Sequence, residues 1–187
     1  MNQRERIAHH EAAHAVVALA MGLPTPSSGI NIDRENPETG GLGSYFATLF
    51  FIEDLTDLTS LALEEAQAKQ LKYACFNLMA ILAGAASDSR VLGEDPMDSL
   101  SQQPGDRAAA VDILVKMAVP FHDHEESLLS QMSDAVTALG ETEIWAAVEK
   151  VATATLATGQ LTGEEIERIA KPHLAAWLQR VKAEKET

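Results

Sequence analysis

The sequence predicts a mainly α-helical protein with a small β-hairpin near its amino terminus. Apolar residues recur at helical spacing over most of the chain. Residues 29–33 instead alternate apolar and polar side chains, and residues 42–47 follow a turn rich in Asn, Pro and Gly, which is the pattern of a hairpin. With 187 residues and 46% hydrophobic content, the chain can form one sizeable core, so we expect a single domain over residues 1–187.

The first helix is predicted for about residues 2–21. Asn2 followed by Glu5 is a capping-box start, and Gly22 and Pro24 end the helix. The residues between them are apolar around nearly the whole circumference, which indicates a buried helix. These apolar residues are Ala12, Ala13, Ala15, Val16, Ala18, Leu19 and Ala20.

This buried helix carries the sequence His10-Glu11-Ala12-Ala13-His14, the His-Glu-x-x-His signature of zinc hydrolases. Residues four apart share one helix face, about 5–6 Å between Cβ atoms, so both rings can bind one ion at about 2.0–2.1 Å per bond. Glu11 would then act as general base on a zinc-bound water. The alternative is a pair of hydrogen-bonded core histidines, with Glu11 paired to Arg4 or Arg6. We favour the metal, because three polar groups on one buried helix are costly without it.

The remainder of the chain is predicted to be helical with one loop. Residues 59–91 form one long helix or two in tandem, and the small residues 83–87 would allow close approach of the first helix. Residues 93–105 contain Gly, Pro, Asp and Ser and are predicted to be a loop. A helix resumes at Asp106, and three more are expected at about 122–139, 141–157 and 162–183, the last with a capping box of Thr162 and Glu165.

Composition excludes several classes of partner. A formal charge of −14 disfavours nucleic acid and anionic membranes, both of which require a basic face. No apolar run reaches the roughly 18–20 residues of a membrane span, and the amino terminus lacks a signal-peptide pattern, so we expect a cytoplasmic protein. The one cysteine, Cys75, permits no disulfide within the chain and is expected to be a buried, inert thiol.

The sequence resembles the peptidase domain of FtsH-type ATP-dependent zinc metalloproteases. The specific part is residues 6–18, Arg-Ile-Ala-His-His-Glu-Ala-Ala-His-Ala-Val-Val-Ala, followed by Gly-Leu-Pro at 22–24. Shorter similarities follow in the family's order: a glycine-bearing strand at 40–43, a small-residue helix at 82–88 with Leu-Gly at 92–93, and Pro-Gly-Asp-Arg-Ala-Ala-Ala at 104–110. Departures are Ala13 in place of the usual glycine, and the stretch 83–88, which lacks an arginine and ends in Asp88 rather than glutamate.

The resemblance implies a zinc metalloendopeptidase with Zn²⁺ held by His10, His14 and Asp106. Asp106 stands where the family presents its third ligand, an aspartate that opens a helix and that the helix amides keep ionised. Two other interpretations remain open: Asp106 as a plain helix cap, and a thermolysin-like ligand from Glu64 or Glu65.

Two further ligand arrangements are less favoured. A metzincin arrangement fails, because Val17 and Ala20 occupy the positions that it requires. His122 and His124 flank Asp123, but an exposed group of this kind is not favoured as a second metal site.

The expected activity is hydrolysis of peptide bonds in unfolded or extended polypeptides, aligned by the strand at 42–46. The sequence contains no Gly-x-x-x-x-Gly-Lys-Ser/Thr motif, so the ATPase module of the family is expected to be absent from this chain. Whether a separate ATPase partner exists, and whether the protein is an oligomer, stays open. The alternative function is a catalytically degenerate peptidase fold that serves as a metal-binding or protein-interaction module.

Overall fold

A computed structural model of the protein describes residues 1–35, 42–45 and 63–185. The predicted fold class is confirmed at the level of a mainly helical chain with a small antiparallel sheet. In chain order the elements are α1 (Gln3–Ala20), β1 (Ile30–Glu35), β2 (Leu42–Tyr45), α2 (Leu63–Leu92), α3 (Pro96–Ser101), α4 (Pro104–Lys116), a 3-10 turn (Phe121–Asp123), α5 (His124–Gly140), α6 (Thr142–Thr158), β3 (Gln160–Leu161) and α7 (Gly163–Lys185). The turn predicted at 36–41 and the helix start predicted near residue 59 lie outside the described residues.

Helix α1 is the buried helix that the sequence predicts. Its capping box is formed, since the Asn2 side chain accepts a hydrogen bond from the Glu5 amide and the Glu5 carboxylate accepts one from the Asn2 amide, both 2.9 Å long. Helices α2 and α6 both pack against α1. The buried positions therefore run around α1, as expected for an almost uniformly apolar helix.

The predicted hairpin is confirmed, and a third strand extends it. Strand β1 pairs antiparallel with β2 on one side and with the two-residue strand β3 on the other. The chain reaches β3 through Gly159, whose φ of 80° ends α6 in the left-handed conformation that favours glycine. Strand β3 was not predicted, because two residues are too few to show a strand periodicity.

Helix α2 is one continuous helix of 30 residues rather than two. Its small-residue run packs against α1, as predicted, and Ala83, Ala85, Ala86 and Ser87 are buried there. Gly84 faces the rings of His10 and His14 directly. The run thus brings the backbone of α2 close to the histidine-bearing face of α1.

The prediction of a loop over residues 93–105 was wrong in part. Helix α3 lies within this segment, with the Asp95 side chain accepting hydrogen bonds from the amides of residues 97 and 98 and Pro96 opening the helix. A helix of six residues is too short for a periodic pattern, and its Pro, Asp and Ser are also typical of loops. Helix α4 starts at Pro104 rather than at Asp106, which places Asp106 inside its first turn.

The three carboxyl-terminal helices α5, α6 and α7 are confirmed close to their predicted bounds. The capping box before α7 is also formed, because Thr162 and Glu165 exchange hydrogen bonds between side chains and amides. Among the described residues, none of the helices combines the length and apolar character needed to cross a membrane.

Candidate metal centre

His10 and His14 lie side by side on α1, with their Nε2 atoms 3.0 Å apart. Both residues are buried, at 8% and 7% exposure. Helix α2 contacts the other nitrogen of each ring: His10 Nδ1 is 3.1 Å from Asp88 Oδ2, and His14 Nδ1 is 2.8 Å from the Ala80 carbonyl oxygen. These contacts of the Nδ1 atoms with α2 therefore fix the orientation of both rings.

These partners assign the proton positions on both rings. An ionised carboxylate and a backbone carbonyl can only accept hydrogen bonds, so Nδ1 of each histidine is the donor. In the neutral imidazole the remaining nitrogen, Nε2, then carries a lone pair. Both lone pairs lie in the gap between the rings, which is an arrangement that calls for a cation or an additional proton.

Asp106 supplies a third acceptor to the same gap. Its Oδ2 lies 3.0 Å from His10 Nε2 and 3.5 Å from His14 Nε2, and its side chain is one-quarter exposed. The structure places it in the first turn of α4, where free amides favour a carboxylate. Burial alone would raise the pKa of Asp106. When the rings carry a proton on Nε2, however, the charge of His14 and the hydrogen bonds from both histidines hold the pKa of Asp106 well below its usual range. Asp106 is therefore ionised.

The pKa values of both histidines are raised, which also indicates that positive charge is favoured at this site. Burial alone would lower both pKa values, since it disfavours the charged ring. The hydrogen bonds and charge of Asp106, with the Asp88 hydrogen bond at His10, overcome this and raise the pKa of His10 well above its usual value and that of His14 to a lesser degree. Positive charge is thus favoured in the gap between the three residues.

The donor set fits a zinc ion in composition and in spacing. Nitrogen from two histidines and oxygen from one aspartate are common zinc ligands, and bonds of about 2.0–2.1 Å at tetrahedral angles place ligand atoms about 3.3 Å apart. The three separations here are 3.0, 3.0 and 3.5 Å. Among the described residues, these three form the group of metal-binding side chains whose ligand atoms lie within 4.8 Å of one another.

Gly84 of α2 provides the space beside the donors. A Cβ atom at this position would overlap His14 Nε2 and would lie 2.6 Å from His10 Nε2. Any side chain here would therefore displace the two nitrogen atoms that face the gap. Only glycine fits at this position of α2 without a shift of the two rings.

Glu11 is buried beside this group, with 7% of its surface exposed. Burial raises the pKa of its carboxyl; the charges of His10 and His14 oppose the shift, and those of Asp106 and Asp88 add to it. The alternative pairings of Glu11 with arginine are not formed, because Arg4 binds Asp33 and Arg6 lies 3.9 Å from Asp88. The charges of His10, His14 and Asp106 thus act on the Glu11 carboxyl.

The other candidate ligands whose side chains are described, Glu65, His122 and His124, are not part of this group. Glu65 is exposed on α2, and the side chain of Glu64 lies outside the described part of the chain. His122 is exposed, whereas His124 is buried with its Nε2 3.0 Å from the carbonyl oxygen of Val119. Of the candidates that can be compared, Asp106 is the one that meets the two histidines.

Asp88 is the site residue that the sequence left without a role. It is buried on α2, where Oδ2 accepts from His10 and, at 3.2 Å, from the side chain of Gln103. A carboxylate behind a metal-binding histidine fixes the ring orientation and increases its basicity. The sequence did contain a signal for this role: Asp88 is an ionisable residue at the end of a run of small, buried residues, and a buried ionisable group requires a partner.

Comparison of this chain with protein-family models, curated proteins and solved structures finds no match.

Proposed function

We propose that this chain is a zinc-dependent peptidase of the FtsH type, which hydrolyses peptide bonds in unfolded or extended polypeptides. The observation that carries the proposal is the convergence of two imidazole lone pairs and one carboxylate oxygen in a single gap, with Glu11 buried next to them. The resemblance over residues 6–18 and around Asp106 gives the same set of residues.

His10, His14 and Asp106 would hold the ion. Three protein ligands leave one position of a tetrahedral zinc open, which distinguishes catalytic from structural sites. A zinc ion held by these three residues would act as a Lewis acid, which would lower the pKa of a coordinated water to about 7 and polarise a carbonyl. The chain's own contribution is to fix both rings through Asp88 and Ala80 before any ligand arrives.

Glu11 is the group that would move the proton. Its position directly after His10 turns it by about 100° around α1, so it is not in line with the two ligating rings. Burial raises its pKa, which makes it a better proton acceptor than an exposed carboxylate. Glu11 would take a proton from the attacking water and deliver it to the leaving amine.

The sheet supports an extended polypeptide as the substrate class. Strand β2 is at the edge of the sheet formed by the described strands, and it packs against α1. An edge strand has backbone amides and carbonyls on one side that can pair with a further chain. A polypeptide added to β2 would therefore lie next to the helix that carries Glu11.

The test combines metal analysis with peptide cleavage. Wild-type protein should contain one zinc per chain and cleave unstructured peptides, whereas the double variant His10→Ala, His14→Ala should contain none. Glu11→Gln should retain zinc yet lose activity by several orders of magnitude, because the base is removed and the ligands are kept. Glu65→Gln on the exposed face of α2 is the matched control and should behave as wild type.

The same experiment distinguishes a peptidase from the non-catalytic alternative. Full zinc occupancy of the wild type without cleavage across a varied peptide library would favour a metal-binding or interaction module. Undiminished cleavage by Glu11→Gln would refute its role as base, and stoichiometric zinc in the double variant would place the metal elsewhere.

A further inference from the structure

Gln103 lies at the start of α4 and connects the candidate metal centre to helix α2. Its side-chain amide donates a 3.2 Å hydrogen bond to Asp88 Oδ2, the same oxygen that lies 3.1 Å from His10 Nδ1. At the other nitrogen of that ring, His10 Nε2 is 3.0 Å from Asp106 Oδ2. Asp106 follows Gln103 by three residues, in the first turn of α4. The contacts therefore form a closed ring that runs from α4 through α2 and α1 back to α4.

The position of α4 relative to α1 depends on α2. Among the described helices, α2, α5, α6 and α7 pack against α1, and α4 does not do so extensively. Helix α4 packs instead against α2, α3 and α5. The distance from Asp106 to the two histidines is therefore set largely by how the start of α4 is held on α2. Gln103 supplies a side-chain hydrogen bond between these two helices at that end of α4.

The backbone of Gln103 is itself held on both sides. Its N–H donates to the Leu100 carbonyl oxygen and its carbonyl oxygen accepts from the Arg107 amide, each at 3.0 Å. The residue occupies the N-cap position of α4, yet its side chain makes no capping hydrogen bond. Ser, Thr, Asp and Asn are the side chains that cap helices well from this position. The glutamine side chain therefore binds Asp88 rather than its own helix.

The Asp88 carboxylate has few other contacts that could fix its orientation. It is buried, and its second oxygen, Oδ1, has no hydrogen-bond partner among the described residues. Arg6 Nη1 is 3.9 Å from Oδ2, which is too long for a hydrogen bond. Because the last torsion of an aspartate has broad minima, loss of Gln103 would leave the orientation of this carboxylate to the His10 contact alone.

We propose that Gln103 is a positioning residue of the metal centre, an inference that rests on the zinc binding proposed above. Gln103 fixes the carboxylate that orients the His10 ring. It also keeps the first turn of α4 on α2, so that Asp106 stays within reach of both Nε2 atoms. Gln103 acts through these two carboxylates and not by contact with the ion.

The test measures zinc affinity and Co²⁺ spectra of the full-length protein, so it does not depend on peptidase activity. Gln103→Met keeps the length of the side chain and removes the donor. It should weaken zinc binding about 10-fold, the lower end of the range for residues behind metal ligands, as measured by competition with a chromophoric chelator. It should also change the visible absorption of the Co²⁺-loaded protein, which reports the geometry of the ligands. Gln102→Met, at the exposed neighbouring glutamine, is the matched control and should change neither.

A double variant tests whether Gln103 acts through Asp88. Two substitutions that remove the same contact have non-additive effects. In the Asp88→Ala background the carboxylate that Gln103 holds is absent. Gln103→Met should therefore change zinc affinity there by less than about two-fold, the limit within which independent sites are additive.

Three outcomes would overturn the proposal and leave the zinc site in place. They are a Co²⁺ spectrum that Gln103→Met does not change, an equal loss of affinity in Gln102→Met, and an undiminished effect of Gln103→Met in the Asp88→Ala background. The first, together with a lower urea stability of the metal-free variant, would make Gln103 a residue of the fold alone. A wild type that binds no zinc would overturn this proposal and the proposed function together.

Discussion

At the scale of single residues, the candidate metal centre depends on which nitrogen of each histidine carries the proton. Asp88 and the Ala80 carbonyl accept from Nδ1 of His10 and His14, which leaves both Nε2 atoms as acceptors facing Asp106. Without a cation, the gap must hold an extra proton, and the raised pKa values of both rings express this. The arrangement of the two Nε2 atoms and Asp106 thus explains why polar groups are buried here and why the gap between them favours positive charge.

Asp106→Asn should weaken zinc binding, because the variant replaces an anionic ligand by a neutral amide of the same shape. The expected loss of affinity is roughly 10–100-fold or more. Competition with a chromophoric chelator would measure it, and Glu65→Gln, an exposed acid on α2, is the control that should not change affinity. If a glutamate variant releases zinc and Asp106→Asn retains it, the third ligand comes from α2 instead.

At the scale of elements, the site depends on the close approach of α2 to α1. Gly84 lies against both imidazoles and allows no Cβ without overlap, while Ala83 and Ala85 beside it are fully buried. The same small residues that pack the two helices therefore also hold open the space in front of the Nε2 atoms.

Gly84→Ala should lower both stability and zinc affinity, although alanine favours helix by up to about 1 kcal/mol over glycine. The added methyl overlaps His14 Nε2, and overpacking of this kind typically costs about 1–3 kcal/mol. Urea unfolding of the metal-free protein and zinc titration measure the two effects.

Gly140→Ala is the matched control for this substitution, because nothing lies within 4 Å of a Cβ at that position of α5. This control should be neutral or slightly stabilising. Wild-type zinc affinity in Gly84→Ala would contradict the close approach of the two helices at the site.

At the scale of the whole molecule, the site should make stability depend on pH in opposite ways with and without zinc. In the metal-free protein the pKa values of His10 and His14 are raised. Their contribution to folding stability is therefore complete below their pKa in the unfolded chain, about 6.5, and is lost as the pH rises through their pKa in the folded protein. The pKa of Glu11 is also raised, so its contribution to folding stability likewise falls as the pH rises above about 4.3. Asp106, whose pKa is lowered, contributes above about pH 3.9 and loses its contribution below it.

Metal-free protein should therefore lose stability between pH 6 and pH 9, whereas zinc-loaded protein should gain it, because zinc binding displaces protons from the ligands. Urea unfolding with chelator and with excess zinc measures both curves. His14→Ala should flatten the difference between them. Parallel curves in the wild type would show that the three residues are not linked to a metal.

The sequence alone determined the local features of this protein, together with the pair of histidines. Helix capping at Asn2 and Thr162, the periodicity of α5 to α7 and the four-residue spacing of His10 and His14 all depend on neighbours within one helical turn. Such patterns can be read without knowing the fold. The short elements α3 and β3 were missed, because six and two residues contain too little of any period.

Only the tertiary structure decided which carboxylates surround the histidines. Asp88 and Asp106 are 78 and 96 residues away from His10 in sequence, and no local pattern distinguishes Asp106 as a ligand from a helix cap or from the competing Glu65. The packing of α2 against α1, and of α4 against α2, sets these distances. That packing comes from burial of apolar side chains. A sequence pattern records the chemistry of each side chain, but which side chains meet depends on how the helices pack together.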